Sequence, residues 1–389
     1  MRNLITMIIL SALCLSATTG CGAGNPKKLK KFFPGKIWPD NKGVHINAHG
    51  GGIIFHEGVY YWFGEHKVKG VKGNEAHVGV HCYSSTDLYN WKDEGIALEV
   101  SKDPESDITQ GCVLERPKVI YNKKTNKFVM WFHLELIGSM YETALSGTAV
   151  SDKVTGPYTF LRSFRPNAGY WPINVTEEQK QPVDEITKTV KLRNDENPET
   201  PKYNILGRDF AGGQMARDMT LFVDDDGKAY HIYSSEVNST LHISLLTDDY
   251  LQPAGEYVRV FLHRWMEAPA VCKRNGKYYL IASGCTGWAP NAARSAVADS
   301  IWGPWKELGN PCIGVNPENN LGSEKTFGCQ STFILLVQGK DDAYIVMFDK
   351  WDPKDAINGR YVWLPMEFTN EGFEIVWRND WDLSAFDCF

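Results

Sequence analysis

A hairpin pattern that recurs along the chain constrains its fold more than any other feature of the sequence. Each copy is a short apolar segment, a tight turn, and a second segment rich in aromatic and β-branched residues, which is typical of a β-hairpin. The five copies occupy residues 51–64, 117–133, 219–234, 269–283 and 332–349. Such self-similarity within one chain indicates a repeat architecture.

A second pattern follows each of the first four hairpins, namely an outer strand, a turn with Asp, and a Pro or Trp beside another strand. It reads SSTDLYNWKDEG (84–95), VSDKVTGPYTF (150–160), LLTDDYLQPAG (245–255) and VADSIWGPWKELG (297–309). A hairpin with two outer strands makes a four-stranded sheet. We therefore predict an all-β fold, a single five-bladed β-propeller. The alternative is a β-sandwich with chance resemblance among its hairpins.

Composition narrows the class of function. The chain has 389 residues, with 41 basic and 47 acidic side chains and a net charge of −6. This balance excludes the basic footprint of a nucleic-acid-binding protein. The length and the 43% hydrophobic content exclude a disordered chain.

The N-terminus indicates export. Arg2 precedes an apolar run too short to span a bilayer, and small residues lead into Cys21, which resembles a bacterial lipobox. We predict a lipoprotein signal peptide over 1–20, a lipidated Cys21 with a tether over 21–44, and a propeller domain over 45–389. The protein would be a cell-envelope lipoprotein of a Gram-negative bacterium, periplasmic or outer-membrane anchored, touching the membrane only through its lipid. An ordinary signal peptide with a chance cysteine is the alternative.

Seven further cysteines lie in the predicted domain, and an odd number cannot all pair. One or two disulfides and buried free thiols are both open.

The repeats align five side chains around one axis. In a propeller the innermost strands line a central channel, so the residue just before each one faces the mouth. In three copies we find this residue by counting back nine residues from the turn glycine. In the two copies with longer turns we read it from the start of the strand. The proposed ring is His49, Glu115, Asp218, Glu267 and Gln330.

Three carboxylates that converge in a concave mouth repel one another. That repulsion and partial burial raise the pKa of at least one of them. A carboxylic acid still protonated near neutral pH can donate a proton to a leaving oxygen. A pair of carboxylates beside a glycosidic bond is the usual requirement for glycoside hydrolysis.

Two segments, RDMTLFVDDDGKAYHIY (217–233) and MEAPAVCKRNGKYYLIAS (266–283), together with RYVWLPMEF (360–368) and WRNDWDLSAF (377–386), resemble glycoside hydrolase family 43. The resemblance implies that Glu267 is the general acid and that Asp218 orients it and tunes its pKa. It implies sugar-binding roles for Glu115 and Glu65. Arg116 and Arg217 would orient these acids through bidentate pairs.

One departure from the family pattern is informative. The family has an Asp at the start of the first blade as general base, but residues 47–52 here read NAHGGG. The stretch AHGGGI followed by YYWFGE resembles the exo-β-1,3-galactanase branch, which lacks that Asp. In that branch the proposed base is a glutamine acting as its imidic acid tautomer, and Gln330 matches it. Glu367 and Glu324, which are carboxylates in the same late region, and then His49 are the alternative bases. Glu367 and His49 are otherwise candidate substrate contacts.

The resemblance thus implies an inverting exo-β-1,3-galactanase that releases galactose from the β-1,3-galactan backbone of plant-type arabinogalactan. It implies no required cofactor and no metal at the catalytic site, although a structural cation such as calcium fits the family. We expect a monomer with no nucleic-acid partner. The alternatives are an α-L-arabinofuranosidase or β-xylosidase of the same family, and a non-catalytic carbohydrate-binding propeller.

Overall fold

The computed structural model describes residues 28–190 and 203–387. The predicted signal peptide, Cys21 and Cys388 lie outside these residues. None of the helices in the described part of the chain is long and apolar enough to cross a membrane.

Most of the described chain forms antiparallel sheets built from consecutive strands. The first sheet contains β1 (His49–His56), β2 (Val59–Glu65), β3 (Gly79–Ser85) and β4 (Lys92–Glu99). The second contains β5 (Val113–Asn122), β6 (Lys127–Glu135), β7 (Leu145–Ser151) and β8 (Thr159–Phe164). The third contains β9 (Met219–Val223), β10 (Ala229–Ser235), β11 (Thr240–Leu246) and β12 (Pro253–Val260). The fourth contains β13 (Met266–Arg274), β14 (Lys277–Gly284), β15 (Arg294–Ala298) and β16 (Lys306–Gly309).

The remaining strands make smaller sheets. Next along the chain come β17 (Cys312–Ile313), β18 (Val315–Asn316) and β19 (Leu321–Gly322). They are followed by β20 (Gln330–Leu336), β21 (Tyr344–Lys350), β22 (Arg360–Pro365), β23 (Glu367–Phe368) and β24 (Phe373–Val376). Short helices occupy α1 (Glu185–Thr189) and α2 (Ile205–Arg208), and 3-10 turns occupy Ser323–Gly328, Ala356–Asn358 and Leu383–Phe386.

The prediction of a single five-bladed propeller is wrong in its number of blades. In the described chain six sheets have three or four strands, so the propeller has six blades. The strands β20–β22 form one three-stranded blade, and β23 and β24 join β17 in another. The sequence pattern missed the sixth blade because β17 pairs with β24 in parallel. Two segments so far apart in the chain leave no hairpin signal.

The first strands of five of the six sheets surround a common axis. In the order β1, β5, β9, β13 and β20, each contacts the next, and β20 contacts β1 to close the ring. These are the first strands of the five repeated hairpins. The start of each therefore opens at one end of the axis, as the repeat register predicts.

The segment before β1 packs on the sheets. Phe32 pairs with Trp381 through two backbone hydrogen bonds, of 2.7 and 3.2 Å, which tie the start of the described chain to its end. The rings of Phe32 and Trp381 stack at 4.3 Å, and Trp38 lies 4.8 Å from Trp363. The packed domain thus includes part of the stretch that we assigned to the tether.

The described cysteines bear on the open question of disulfides. Six of them are free thiols, and five of these six are buried: Cys82, Cys112, Cys272, Cys312 and Cys329. Within the described residues, packing rather than cross-linking accounts for the cysteines.

The glycine run at the start of β1 is explained by close backbone approach. A Cβ on Gly51 would lie 1.9 Å from the carbonyl oxygen of Phe63 on β2, and one on Gly50 would lie 2.1 Å from Oε1 of Glu65. Gly50 also has a φ of +59°, a conformation that glycine adopts without strain. The run thus allows β1 to pass directly against β2 beside the axis.

We expect Gly51→Ala to lower the free energy of unfolding by about 1–3 kcal/mol, because the atom in its way is backbone and cannot rotate aside. Urea unfolding followed by tryptophan fluorescence measures this loss. Gly212→Ala is the matched control, since a Cβ there meets no atom within 4 Å. Equal unfolding midpoints for the two variants would contradict this explanation of the run.

Candidate active site

A cavity of about 290 Å³ opens where the first strands of the ring begin. Four of the five predicted ring residues line it, namely Glu115, Asp218, Glu267 and Gln330. The whole lining consists of Glu65, Glu115, Arg116, His133, Tyr141, Arg217, Asp218, Asn238, Glu267, Gly287, Trp288, Gln330 and Trp351. The repeat register therefore locates a real concave site.

Glu267, in β13, has the environment of a proton donor. Its Oε1 accepts a hydrogen bond from Nδ2 of Asn238 at 2.8 Å and one from the thiol of Cys285 at 3.1 Å. Burial, and then the negative charge of Asp218, raise the pKa of Glu267 to about 7. A carboxyl group of this kind is still largely protonated in mildly acidic solution and can act as a general acid.

Asp218 stands immediately before β9 and is held by two donors. Its Oδ2 accepts from Nη2 of Arg116 at 2.9 Å and from the backbone N–H of Ala268 at 3.1 Å. Because Ala268 is the next residue after Glu267, the same contact fixes Asp218 beside the acid. Burial is the main cause of the raised pKa of Glu267, and the charge of Asp218 raises it further.

Neither arginine forms the bidentate pair that the resemblance implies, and only Arg116 binds one of the acids. Arg116 binds Asp218 through a single nitrogen rather than bidentately, and it reaches Gln330 with the same Nη2. Arg217 donates to the backbone carbonyl of Tyr141 at 2.6 Å instead of to a carboxylate. Arg116 is therefore the residue that organises the site.

Glu115, in β5, is held as a carboxylate. Its Oε1 accepts from Asn74 at 2.9 Å and from the Tyr141 hydroxyl at 2.8 Å, and its Oε2 faces Nδ1 of His133 at 3.0 Å. Burial raises the pKa of Glu115, but hydrogen bonds, first that of His133, bring it well below its usual range. A permanent anion that faces a cavity suits the binding of sugar hydroxyls better than proton transfer.

His133 lies between two carboxylates. Burial lowers its pKa, but hydrogen bonds from its ring to Glu115 and Glu135 raise it to about 9. Glu115, His133 and Asp218 form a cluster whose ligand atoms lie within 4.8 Å of one another. Both ring nitrogens of a protonated His133 donate, so a metal ion at this cluster would have to displace one ring proton.

Glu65 ends β2 and is 2% exposed. Its Oε1 accepts from the backbone N–H of Arg116 at 2.9 Å, and its Oε2 forms an ion pair with Lys67. Burial raises the pKa of Glu65. Glu65 thus lies at the cavity wall and supports Arg116.

Gln330, the first residue of β20, has a fixed amide. Its Oε1 accepts from Arg116, and its Nε2 donates to Oγ of Ser283 at 2.8 Å. The guanidinium can only donate, so Oε1 of Gln330 accepts from it, as the carbonyl oxygen of an amide does. The contact therefore favours the ordinary amide, with one N–H and one lone pair left for a water molecule.

The structure does not bring His49 or Glu367 into the cavity. His49 is 1% exposed, and its ring stacks on Trp351 at 5.0 Å. Burial lowers the pKa of His49 well below its ordinary value. Glu367 lies in β23 and forms an ion pair with Arg378 at 2.7 Å. His49 supports a cavity wall, whereas Glu367 belongs to the sixth blade.

The repeat pattern did not predict Cys285 or Trp351 at the site, although the sequence contains a signal for both. Each ring residue faces a residue of the next strand, for example Glu267 opposite Ser283 and Gln330 opposite Asp349. Two positions further on lie Cys285 and Trp351. The register that gives the ring could therefore have located both. Trp351 lines the cavity and lies edge-on to Trp288 at 5.8 Å.

Comparison with known proteins agrees with this geometry. The family model of glycosyl hydrolases family 43 matches residues 167–372, which is more than half of the chain. The chain belongs to glycosyl hydrolases family 43. A solved family 43 β-1,3-galactosidase, with galactodeoxynojirimycin, is 50% identical with a TM-score of 0.81, covering 90% of this chain and 100% of that one.

Two further solved structures to which the chain is similar are exo-β-1,3-galactanases. The enzyme from Phanerochaete chrysosporium, with β-1,3-galactotriose, is 30% identical with a TM-score of 0.71, covering 91% of this chain and 68% of that one. The enzyme from Clostridium thermocellum is 32% identical with a TM-score of 0.71, covering 90% and 66%. Among curated proteins, a β-D-galactofuranosidase of Aspergillus niger is 26% identical over 191 residues, 46% of this chain. That match spans about half of the curated relative's length, 52%.

Proposed function

We propose that this member of family 43 is an inverting exo-β-1,3-galactanase. It would release galactose from the non-reducing end of β-1,3-galactan, the backbone of plant-type arabinogalactan. One observation carries the proposal: Glu267, with a pKa of about 7, faces a small cavity beside the charged Asp218. The solved relatives that act on β-1,3-linked galactose support the choice of substrate.

The cavity supports exo action. At about 290 Å³ it lies at the lower end of the size range of ligand pockets. Such a pocket suits one terminal sugar better than the interior of a chain. Trp351 and Trp288 offer apolar ring surface at its wall, as sugar rings require.

The proposed reaction assigns a role to each group. Glu267 gives its proton to the glycosidic oxygen as the bond from that oxygen to C1 breaks. A water molecule held by the Gln330 amide attacks C1 from the opposite face and releases one of its protons to the surrounding water, from which Glu267 recovers its own proton for the next turnover. The Glu115 and Glu65 carboxylates accept hydrogen bonds from the hydroxyls of the terminal sugar. We propose that this chemistry needs no cofactor.

Product analysis tests the proposed function. The purified enzyme is incubated with debranched β-1,3-galactan, arabinoxylan and a synthetic arabinofuranoside, and the released sugars are separated by anion-exchange chromatography. Galactose from the first substrate alone is the expected result. Arabinose or xylose would instead identify the enzyme as an arabinofuranosidase or xylosidase, and retained sugar binding with no product would identify a non-catalytic propeller.

We also propose that the protein is anchored in the cell envelope by a lipid on Cys21. The support is the sequence before that residue, which lies outside the described part of the structure. In a Gram-negative host grown with radioactive palmitate, we expect the wild-type protein to carry the label and the Cys21→Ala variant to lack it. Cys285→Ser serves as the control and keeps the label. An unlabelled wild-type protein would contradict the anchor.

A further inference from the structure

Two donors from neighbouring blades meet at one oxygen of Glu267. Asn238, in the turn between β10 and β11, donates to Oε1 at 2.8 Å. Cys285, just after β14, donates to the same atom at 3.1 Å. Nδ2 of Asn238 also lies 3.6 Å from Sγ of Cys285. Among the hydrogen bonds of the described residues, Oε2 of Glu267 makes none.

This arrangement distinguishes the two oxygens of a protonated carboxyl group. An oxygen that accepts from two donors is the carbonyl oxygen, and the acid proton is then on the other oxygen. We propose that Asn238 and Cys285 are positioning residues that keep the acid proton of Glu267 on Oε2, toward the glycosidic oxygen. This proposal rests on the proposed function, since it specifies which atom of the acid gives up the proton.

Asn238 is held in place by a constrained turn. Glu236, Val237 and Asn238 have φ values of 49°, 59° and 68°, which is uncommon for residues other than glycine. The turn is kept in this form by the buried Glu236 carboxylate, which binds Arg259 at 2.5 and 2.7 Å and faces His242 at 2.9 Å. Backbone strain that its surroundings maintain in this way is common at functional sites.

Cys285 is suited to act as a donor. Burial, followed by the charge of Glu267, raises the pKa of its thiol well above the usual value. The sulfur therefore keeps its hydrogen and can donate it. The other charged groups that face Glu267 are Asp218, which raises its pKa, and Arg116 and Arg217, which lower it.

These contacts determine whether removal of the Cys285 thiol raises or lowers the pKa of Glu267. A hydrogen bond donated to a carboxylate stabilises the anion, and that of Cys285 lowers the pKa of Glu267. Removal of the thiol therefore raises this pKa. It also frees the carboxyl group to place its proton on either oxygen.

A titration without substrate tests whether removal of the thiol raises the pKa of Glu267. The protein is labelled with glutamate carrying ¹³C in its side-chain carboxyl group, and the Glu267 signal is assigned by its loss in Glu267→Gln. We expect Cys285→Ala to raise the titration midpoint of Glu267 by roughly 0.5–1 pH unit, and Cys285→Ser to keep it near the wild-type value. Cys312→Ala, which removes a buried thiol remote from the cavity, is the control. A midpoint unchanged in Cys285→Ala overturns the proposal.

Kinetics test whether the two donors keep the acid proton on Oε2 of Glu267. Asn238→Ala and Cys285→Ala should lose about tenfold or more in kcat on β-1,3-galactobiose, whose leaving oxygen needs a proton. Both should remain within about threefold of wild type on 2,4-dinitrophenyl β-galactoside, whose leaving group departs as an anion. Equal losses on the two substrates would indicate a merely structural role and overturn the proposal. If wild type cleaves neither substrate, the proposed function fails, and the ¹³C titration still decides the positioning role.

Discussion

Replacement of Glu267 by Gln should reduce kcat on β-1,3-galactobiose on the order of 10³-fold, which is within the range of general acid catalysis. Gln has the same shape, and its carbonyl oxygen can still accept from Asn238 and Cys285. The loss would therefore reflect the missing proton rather than a collapsed cavity. On 2,4-dinitrophenyl β-galactoside, whose leaving group needs no proton, the loss should be much smaller.

Initial rates on the two substrates, with thermal unfolding as a check on the fold, measure this effect. Glu371→Gln, at an exposed position in the turn before β24, is the matched control and should retain wild-type rates. A Glu267→Gln enzyme that cleaves galactobiose at the wild-type rate would show that another group donates the proton.

Replacement of Asp218 by Asn should shift the pH profile toward acid. The charge of Asp218 helps to raise the pKa of Glu267 to about 7. Without it, burial still raises this pKa, but Arg116 loses its partner and favours the ionised form of Glu267 more strongly. The acid then loses its proton at a lower pH. Since activity requires the protonated form, the alkaline limb of kcat/KM should move down by roughly one pH unit.

At pH 7.5 we expect this shift, together with poorer positioning of Glu267, to reduce kcat by about 10–100-fold. The profile of kcat/KM between pH 4 and 9 measures the shift directly. Asp225→Asn removes the same charge from the exposed turn between β9 and β10, where its side chain is 86% exposed. Its profile should match wild type. An alkaline limb that stays in place in Asp218→Asn would show that Asp218 does not set the pKa of the acid.

The candidate site was more predictable than the number of blades. The repeat register brought Glu115, Asp218, Glu267 and Gln330 to one cavity, because each stands at the same point of a hairpin. It failed for His49, although β1 has the same register shift after its ring residue as β5 has after Glu115 and β13 after Glu267. The ring of His49 is buried, stacks on Trp351 and packs against Gly359.

Other features depend on contacts that a local pattern does not record. The parallel pairing of β17 with β24 creates the sixth blade, and it joins segments on either side of β20–β22. The amide orientation of Gln330 depends on Arg116, which reaches it from another blade. The family resemblance gave the acid and its neighbour, but not the donors that hold them. Those donors follow from the three-dimensional packing of β5, β10 and β14.

The most direct test of the proposed activity is a ¹H NMR time course of the enzyme acting on β-1,3-galactotriose. We expect free galactose and β-1,3-galactobiose to appear first, and the new galactose anomer to be α before mutarotation equilibrates it. Glu267→Gln should give neither product on the same time scale. A β anomer as the first product, or a new anomeric centre on galactobiose rather than on galactose, would contradict an inverting exo-β-1,3-galactanase.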